Sequence, residues 1–241
     1  MAVPPSPRAL RTEQTAAFLR EVLRGRRRVL EVGCGHGDVA RALAAAGHEV
    51  TALDLELPDP RPAPSVAYAQ GDFLAFDAAP FDAVVFTASL HHIAPLAAAI
   101  ERAAALTAPG GLVVADDFDL DAPDAATLRW YYEVQELLVA AGVYAADRLD
   151  PPRADPVARW RDAHAHDPPL HTGAQLRRAL AERLAIRERR RCEYLYRYLC
   201  GGLPDDARGA ELAAYVLAAE RRGLAEGRLV PTGLRILADR A

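Results

Sequence analysis

Acidic and imidazole side chains follow several apolar stretches of the chain, at the points where buried strands would end. They are Glu31, Asp54, Asp72, the pair His91–His92 and the pair Asp116–Asp117. Carboxylates accept hydrogen bonds from hydroxyl and amino groups, and an imidazole can take up a proton near neutral pH. Because ligands of open α/β sheets bind beyond the carboxyl ends of the strands, these residues predict a binding site that contains an acid–base group.

A glycine-rich loop lies next to the first of these acids. Residues Arg28 to Asp38 read R-V-L-E-V-G-C-G-H-G-D, a short apolar strand followed by a turn into a helix. Glycine can adopt positive φ and lets a ligand lie close to the backbone, where N–H groups at a helix start face it. The dinucleotide pattern G-x-G-x-x-G fails here, because Asp38 occupies its third glycine position.

The segment after the loop predicts a βαβ unit. A periodic apolar run ends at Gly47, and the strand H-E-V-T-A-L-D-L follows it. The right-handed crossover places the end of that strand beside the glycine loop. Asp54 lies there, and its carboxylate can accept hydrogen bonds from two vicinal ribose hydroxyls.

The spacing of these residues resembles motif I (E/D-x-G-x-G-x-G) of the class I S-adenosylmethionine-dependent methyltransferases, which Glu31, Gly33, Gly35 and Gly37 match. The resemblance extends from Arg28 to Phe118 and implies S-adenosyl-L-methionine as the cofactor. In this family a Gly-Asp-hydrophobic motif, whose last two residues here are Asp72–Phe73, lies beside the adenine. Thr87 would lie beside the methionine part of the cofactor. The implied cofactor-binding residues are Glu31, Gly33, Cys34, Gly35, Asp54, Leu55, Asp72, Phe73 and Thr87.

A second resemblance concerns the chemistry. Some small-molecule O-methyltransferases of natural-product pathways pair the first histidine of an L-H-H turn with the aspartate of a D-F step. Leu90–His92 and Asp117–Phe118 match these two motifs. The match implies His91 as general base, with Asp117 orienting it and His92 next in line. The alternatives are that His91 is structural and that the two aspartates cap the following helix.

The order of the elements predicts an α/β fold, a doubly wound seven-stranded Rossmann-like methyltransferase sheet with a helical lid inserted after the fifth strand. Residues 1–118 would form the cofactor-binding half, residues 119–173 the substrate lid, and residues 174–241 would complete the sheet. Helices are expected over 12–23, 95–106, 124–141, 176–184 and 206–224, and late strands over 185–193 and 234–238.

The predicted lid contains aromatic and histidine residues. Trp130, Tyr131, Tyr132 and Trp160 would supply an aromatic surface, and His92, Tyr131, Tyr132 and His166 are candidate substrate contacts. Residues 150–171 read as a proline-broken loop after the helix. His164, His166 and His171 raise the alternative of a metal site, which their irregular spacing disfavours, so no metal is expected.

Composition limits the classes of protein. The chain of 241 residues, 51% hydrophobic and 26% charged, suits one soluble domain, and its net charge of −4 argues against a nucleic-acid partner. Three cysteines without metal spacing suit a reducing, cytoplasmic compartment. There is no apolar signal segment or 18-residue apolar stretch, so no membrane association is expected.

These observations predict methyl transfer to an oxygen or nitrogen of a small-molecule acceptor. The alternatives are a methyltransferase of RNA or protein, and a cofactor-binding protein without catalysis. The arginine- and tyrosine-rich stretch R-E-R-R-R-C-E-Y-L-Y-R-Y could contact RNA, but its glutamates favour a solvated edge strand. The acceptor and the choice between monomer and homodimer stay open.

Overall fold

The computed structural model of the chain describes residues 4–57 and 63–241. Its strands are β1 (Arg28–Val32), β2 (Glu49–Asp54), β3 (Val66–Gln70), β4 (Phe81–Thr87), β5 (Thr107–Phe118), β6 (Ala185–Cys192) and β7 (Gly233–Asp239). Its helices are α1 (Pro7–Val22), α2 (Asp38–Ala45), α3 (Leu96–Leu106), α4 (Ala125–Ala140), α5 (Pro156–Ala163), α6 (Gly173–Arg183), α7 (Leu195–Gly201) and α8 (Ala207–Ala225). Two 3₁₀ turns cover Leu90–His92 and Ala146–Arg148.

The strands form one seven-stranded sheet in the order β3-β2-β1-β4-β5-β7-β6. β1 to β5 pair in parallel. β7 runs antiparallel to β5, because the N–H of Gly110 donates to the carbonyl of Arg240 and the N–H of Arg240 donates to that of Gly111. The predicted seven-stranded α/β fold is confirmed, with β6 as an exposed edge strand.

The carboxyl ends of the parallel strands define one edge of this sheet. We call it the carboxyl edge; its strand-terminal residues are Val32, Asp54, Gln70, Thr87 and Phe118. The strand order reverses between β1 and β4, and open α/β sheets form a crevice for ligands at such a switch point. Every predicted cofactor residue lies on or next to the ends of β1 to β4.

Apolar side chains cover both faces of the central strands. Along β1, Leu30 belongs to a cluster with Phe86 and Ile100 on one face, whereas Val29 belongs to a cluster with Leu43 on the other. This burial on both faces explains why β1 and β4 read as nearly continuous apolar runs. The central strands therefore hold the residues at their carboxyl ends in fixed positions.

The described chain divides into two compact units. The sheet unit comprises Thr12–Phe118, His171–Arg190 and Leu234–Ala241, and the helical unit comprises residues up to Arg11, Asp119–Leu170 and Arg191–Gly233. The border after Phe118 coincides with the predicted start of the lid. The later segment 191–233 groups with the helical unit instead of the sheet, and contacts between α7 and α8 lie within it.

Three local predictions were wrong. The first helix begins at Pro7, upstream of the expected Thr12. α5 forms inside the predicted loop. Asp155 caps this helix by accepting from the N–H of Val157, and Pro156 is the first residue of the helix. α7 occupies the tyrosine-rich half of the stretch interpreted as an edge strand. No helix in the described residues is long and apolar enough to cross a membrane.

Candidate active site

The glycine loop between β1 and α2 is tied to the end of β2. Gly33, at φ +76°, donates its N–H to the carbonyl of Leu53 at 2.8 Å, and a Cβ there would collide with the side chain of Ser89. Gly35, at φ +52°, donates its N–H to Asp54 Oδ2 at 2.6 Å. A Cβ at Gly35 would have no atom of the described residues within 4 Å. The loop is therefore tightly packed at Gly33 and open at Gly35.

Asp54 is the last residue of β2 and lies half-buried at the open side of the loop. Besides Gly35, it accepts a longer hydrogen bond of 3.3 Å at Oδ1 from the N–H of Glu56. The neighbouring Leu55 leaves 66% of its surface exposed. A carboxylate beside an exposed apolar side chain suits a ligand that carries both hydroxyl groups and a flat apolar ring.

Glu31 lies on β1 and is buried, with 1% of its surface exposed. Its Oε1 accepts a hydrogen bond of 2.9 Å from the Thr87 hydroxyl, whereas Oε2 has no hydrogen-bond partner within the described residues. Burial raises the pKa of this carboxyl from about 4.5 to about 8, and the Thr87 hydrogen bond and a weaker interaction with the backbone N–H of Ala40 oppose the rise. A buried acid with one unsatisfied oxygen is a place for a cationic or N–H donor group.

The raised pKa of Glu31 predicts a pH-dependent stability. Between about 4.5 and about 8 the folded state keeps a proton that the unfolded state releases, so the free energy of unfolding falls as pH rises through this window. Because a pKa difference of one is worth about 1.4 kcal/mol, the upper bound is a few kcal/mol. Glu31→Gln lacks this titration, so we expect the mutant to gain stability relative to the wild type as pH rises.

Chemical denaturation of the ligand-free protein at pH 5, 6.5 and 8 measures this difference. Glu49→Gln, on the exposed first residue of β2, is the matched control and should follow the wild type at each pH. A constant difference between Glu31→Gln and the wild type across this range would contradict the assignment.

Three other predicted cofactor residues differ in what they expose. Asp72 is exposed and accepts from the N–H of Leu74 at 2.9 Å. The ring of Phe73 is buried and packs edge-to-face on Phe86 at 5.4 Å. Burial raises the pKa of the Cys34 thiol to about 12, so this thiol stays protonated and is a packing group.

The end of β4 is locally strained. Ala88 adopts φ +54°, which a residue with a Cβ rarely takes, and its N–H donates to the carbonyl of Asp116 at 2.8 Å. Such strain clusters at functional sites. The Ser89 hydroxyl donates to the carbonyl of Val32 at 2.6 Å and ties this turn to β1. Ser89 was not predicted, and no sequence motif distinguishes it.

The predicted His91–Asp117 pair is assembled by the structure. Both side chains are buried, and His91 Nδ1 lies 2.6 Å from Asp117 Oδ1, although the angles are not those of a hydrogen bond. The backbone N–H of His91 donates to Asp117 Oδ2 at 3.2 Å. The Phe118 ring packs edge-to-face on His91 at 4.8 Å. Asp117 thus faces one ring nitrogen of His91 and leaves Nε2 for proton exchange.

The neighbours of this pair settle one alternative. The two aspartates do not cap the next helix, because Asp124 caps α4 by accepting from the N–H of Thr127 at 2.8 Å. Asp116 is fully buried and accepts from Arg235 at 2.8 Å, an ion pair within the sheet unit. His92 is exposed, with its ring centroid 4.0 Å from that of His91.

The aromatic residues of the helical unit are mostly interior. Tyr131, Tyr132 and Trp160 are buried, so the prediction of an aromatic surface was wrong for them. Helical spacing brings Tyr131 and Tyr132 to the buried side of α4, where Tyr132 donates to Asp150 at 3.3 Å. His166 is exposed and lies in the segment after α5.

The three lid histidines do not form a metal site in the described residues, where no group of three or more His, Cys, Asp or Glu side chains could hold an ion. His164 contacts the carbonyl of Trp160 at 2.8 Å and the hydroxyl of Tyr198 at 3.1 Å with its two ring nitrogens. His171 Nε2 lies 3.0 Å from the carbonyl of Ile93. These nitrogens have protein partners.

Comparison with known proteins decides the family. Residues 7–183 match the family model described as a methyltransferase domain. The chain belongs to this methyltransferase family. Its motif I loop, the acid after β2 and the histidine turn after β4 all fall within the matched residues.

Curated relatives of this methyltransferase match over part of their length. An uncharacterised methyltransferase of Mycobacterium bovis is 37% identical over 98 residues, which cover 37% of this chain and 50% of the relative. A ubiquinone biosynthesis O-methyltransferase of Xylella fastidiosa is 40% identical over 95 residues, which cover 35% of this chain and 39% of the relative. The matched stretches thus span half or less of these relatives.

Solved structures share the fold of this methyltransferase over nearly its whole length. A putative methyltransferase of Bacillus halodurans superposes with a TM-score of 0.55 at 18% identity, covering 94% of this chain and 99% of that one. The 1,6-didemethyltoxoflavin N1-methyltransferase of Burkholderia thailandensis, solved with its substrate and S-adenosylhomocysteine, gives 0.53 at 21% identity, covering 95% and 77%. The fold is thus that of Rossmann-like methyltransferases.

Proposed function

We propose that this chain transfers a methyl group from S-adenosyl-L-methionine to an oxygen or nitrogen of a small-molecule acceptor. The observation that carries the proposal is the convergence of an open glycine loop, two carboxylates and a buried histidine–aspartate pair at the carboxyl edge. The cofactor, when bound, supplies a methyl group activated by a positively charged sulfur. Family membership supports the reaction class.

The residues at the carboxyl edge fit this cofactor. Asp54 offers a carboxylate to the ribose hydroxyls, and the missing Cβ of Gly35 leaves room for the ligand beside it. Glu31 Oε2, buried without a partner in the described residues, suits the cationic amino group. Leu55 offers apolar surface to the adenine. The remaining cofactor residues, Gly33, Cys34, Asp72, Phe73 and Thr87, stay predictions.

His91 is the group we assign to proton removal. Its Nε2 would take the proton of an acceptor hydroxyl as that oxygen bonds to the methyl carbon, with the cofactor sulfur as the leaving group. An ammonium acceptor would give its proton to Nε2 before its nitrogen attacks. Asp117, facing Nδ1 at 2.6 Å, orients the ring and stabilises the imidazolium that results. Alignment of acceptor and methyl donor contributes several kcal/mol of the acceleration, and a positioned base adds about 10²- to 10⁴-fold.

The class of acceptor is supported by the relatives. The Xylella fastidiosa relative is named an O-methyltransferase, and the Burkholderia thailandensis N1-methyltransferase structure holds 1,6-didemethyltoxoflavin. We therefore propose a small molecule with a hydroxyl or ring nitrogen, and hydroxylated aromatic compounds come first in a screen. His92 and His166 are exposed and each stays a predicted acceptor contact, whereas the buried Tyr131 and Tyr132 do not keep that role.

Calorimetric titration tests the cofactor assignment. S-adenosylmethionine and S-adenosylhomocysteine should bind one per chain, and NAD should bind at least a hundredfold more weakly, because the loop lacks the third dinucleotide glycine. Glu31 should release its proton when the cationic amino group approaches, so the apparent enthalpy at pH 7 should vary with the ionisation enthalpy of the buffer. Equal affinity for NAD would overturn the assignment.

Activity should survive exhaustive chelation. The metal-dependent catechol-type enzymes carry an aspartate after the fourth strand, where this chain has Thr87 and Ser89. His164, one of the three histidines of the candidate metal cluster, already uses both ring nitrogens in protein contacts. The measurement is the rate before and after EDTA treatment and gel filtration. An enzyme that regains activity only with a divalent ion would contradict this prediction.

A further inference from the structure

His171 binds the 3₁₀ turn that carries His91, although 80 residues separate the two in sequence. Its backbone N–H donates to the carbonyl of His91 at 2.9 Å, and its ring Nε2 lies 3.0 Å from the carbonyl of Ile93. Because a carbonyl can only accept, Nε2 carries the proton in this contact. The two hydrogen bonds hold the carbonyls of His91 and Ile93, at the middle of the turn and just after it.

The chain around His171 is itself firmly held. Thr172 caps α6 in a reciprocal capping box, in which its hydroxyl accepts from the N–H of Gln175 and its N–H donates to the Gln175 side chain at 2.7 Å. Leu176 and Leu180 of α6 are buried in the same apolar cluster as Leu90, the first residue of the turn. His171 is therefore a fixed point from which the turn is supported.

The turn has little support of its own. Its internal hydrogen bonds run from the N–H of His92 to Ser89 at 3.1 Å and from the N–H of Ile93 to Leu90 at 3.2 Å. A single 3₁₀ turn has poorer hydrogen-bond geometry than an α-helix and does not persist without outside contacts. Loss of the His171 ring contact would let residues 90–93 open more often.

We infer that His171 is a positioning residue for the proposed base: its ring hydrogen bond to Ile93 fixes the turn so that the His91 imidazole stays against Asp117. The inference rests on the proposed function. His171 acts through His91 and is not assigned a contact with the acceptor or cofactor. This positioning role is new for His171, which the sequence indicated only as a member of a candidate metal cluster.

Two variants separate the ring contact from the backbone contact. His171→Leu removes the ring donor and keeps the backbone N–H, whereas His171→Gln keeps an N–H donor near the Nε2 position. His48→Leu is the matched control, because His48 is a buried histidine of the same unit whose Nδ1 contacts the carbonyl of Arg26 at 2.7 Å. It lies at the amino end of β2, away from the turn.

Hydrogen exchange of a peptide spanning residues 88–95 reports on the turn without any acceptor. We expect the His92 and Ile93 amides to exchange about fivefold to tenfold faster in His171→Leu, the effect of one lost hydrogen bond, and at the wild-type rate in the other two variants. Unchanged exchange in His171→Leu would show that the ring does not hold the turn and would overturn the inference.

Activity supplies the second readout. We expect His171→Leu to lower kcat about tenfold, with the acceptor KM and cofactor affinity within about threefold of wild type, and His171→Gln to restore kcat to within about threefold. Faster exchange with wild-type kcat, or a Gln variant as slow as Leu, would overturn the positioning role. If His91→Ala turns over at the wild-type rate, His91 is not the base and this inference fails with that assignment. Unchanged cofactor binding in the same variant would leave the cofactor assignment standing.

Discussion

His91→Ala should lower kcat by about two orders of magnitude or more while the affinity for S-adenosylmethionine stays within a few-fold. The physical reason is the loss of the only side chain assigned to remove the acceptor proton, and a positioned base contributes about 10²- to 10⁴-fold. Cofactor binding is spared because the proposed cofactor residues lie on other positions of the carboxyl edge, at Glu31, Gly35 and Asp54. Steady-state rates with a verified acceptor between pH 6 and 9, together with calorimetry, measure both quantities.

Three further variants sharpen this test. His48→Ala removes a buried histidine at the opposite end of the sheet unit and should keep the wild-type rate. Asp117→Asn keeps the shape of the group facing Nδ1 but loses its charge, so it should lower kcat by less than His91→Ala. His92→Ala tests the neighbouring exposed histidine separately from His91. If His91→Ala turns over at the wild-type rate and His92→Ala does not, the base is His92.

Asp54→Ala should weaken S-adenosylmethionine binding about tenfold or more. The variant loses the charge-assisted hydrogen bonds to the ribose hydroxyls, a loss that costs about 1.5 to 3 kcal/mol in total, and about 1.4 kcal/mol corresponds to a factor of ten. In the wild type the N–H of Gly35 donates to Asp54 at 2.6 Å. The variant removes this acceptor, so the loop itself should loosen. Calorimetry with variants shown to be folded gives the dissociation constants.

The matched control is Asp82→Ala. Asp82 also lies at a strand end and accepts two backbone hydrogen bonds, from Arg27 at 2.7 Å and Arg28 at 2.9 Å, but at the amino end of β4. These hydrogen bonds lower the pKa of its carboxyl. Asp82→Ala should therefore cost stability without changing cofactor affinity. An Asp54→Ala protein that binds the cofactor as tightly as Asp82→Ala would refute the ribose site.

The residue placements that follow from the sequence alone depend on local pattern and strand order. The glycine spacing and the βαβ unit place Asp54 against Gly35, because the crossover of such a unit has one hand. The pairing of His91 with Asp117 follows from adjacent parallel strands β4 and β5, whose ends meet at the carboxyl edge. Both features need only the order of the strands.

The rest depends on long-range packing that a single sequence does not contain. The same amphipathic pattern in α4 suits a helix that lines a pocket and one that packs inward, and Tyr131 packs inward. The segment 191–233 joins the helical unit, where the buried Glu220 accepts from the backbone N–H groups of residues 194–196 across more than 20 residues. The contact of His171 with the His91 turn spans 80 residues.

α5 is a different case, because its signal was present in the sequence. Asp155 followed by Pro156 is the typical start of a helix, a capping residue before a proline at the first position. The surrounding prolines favoured the interpretation as a loop. Local capping residues should therefore outweigh proline content when the proline is placed at a helix start.

A crystal structure with S-adenosylhomocysteine bound tests the central claim most directly. We expect the ribose hydroxyls at hydrogen-bond distance from the Asp54 carboxylate and the amino group beside Glu31. His91 should be the titratable side chain nearest to the sulfur on the acceptor side. Binding of the ligand at another edge of the sheet, or at the carboxyl edge with neither Asp54 nor Glu31 in contact, would contradict it.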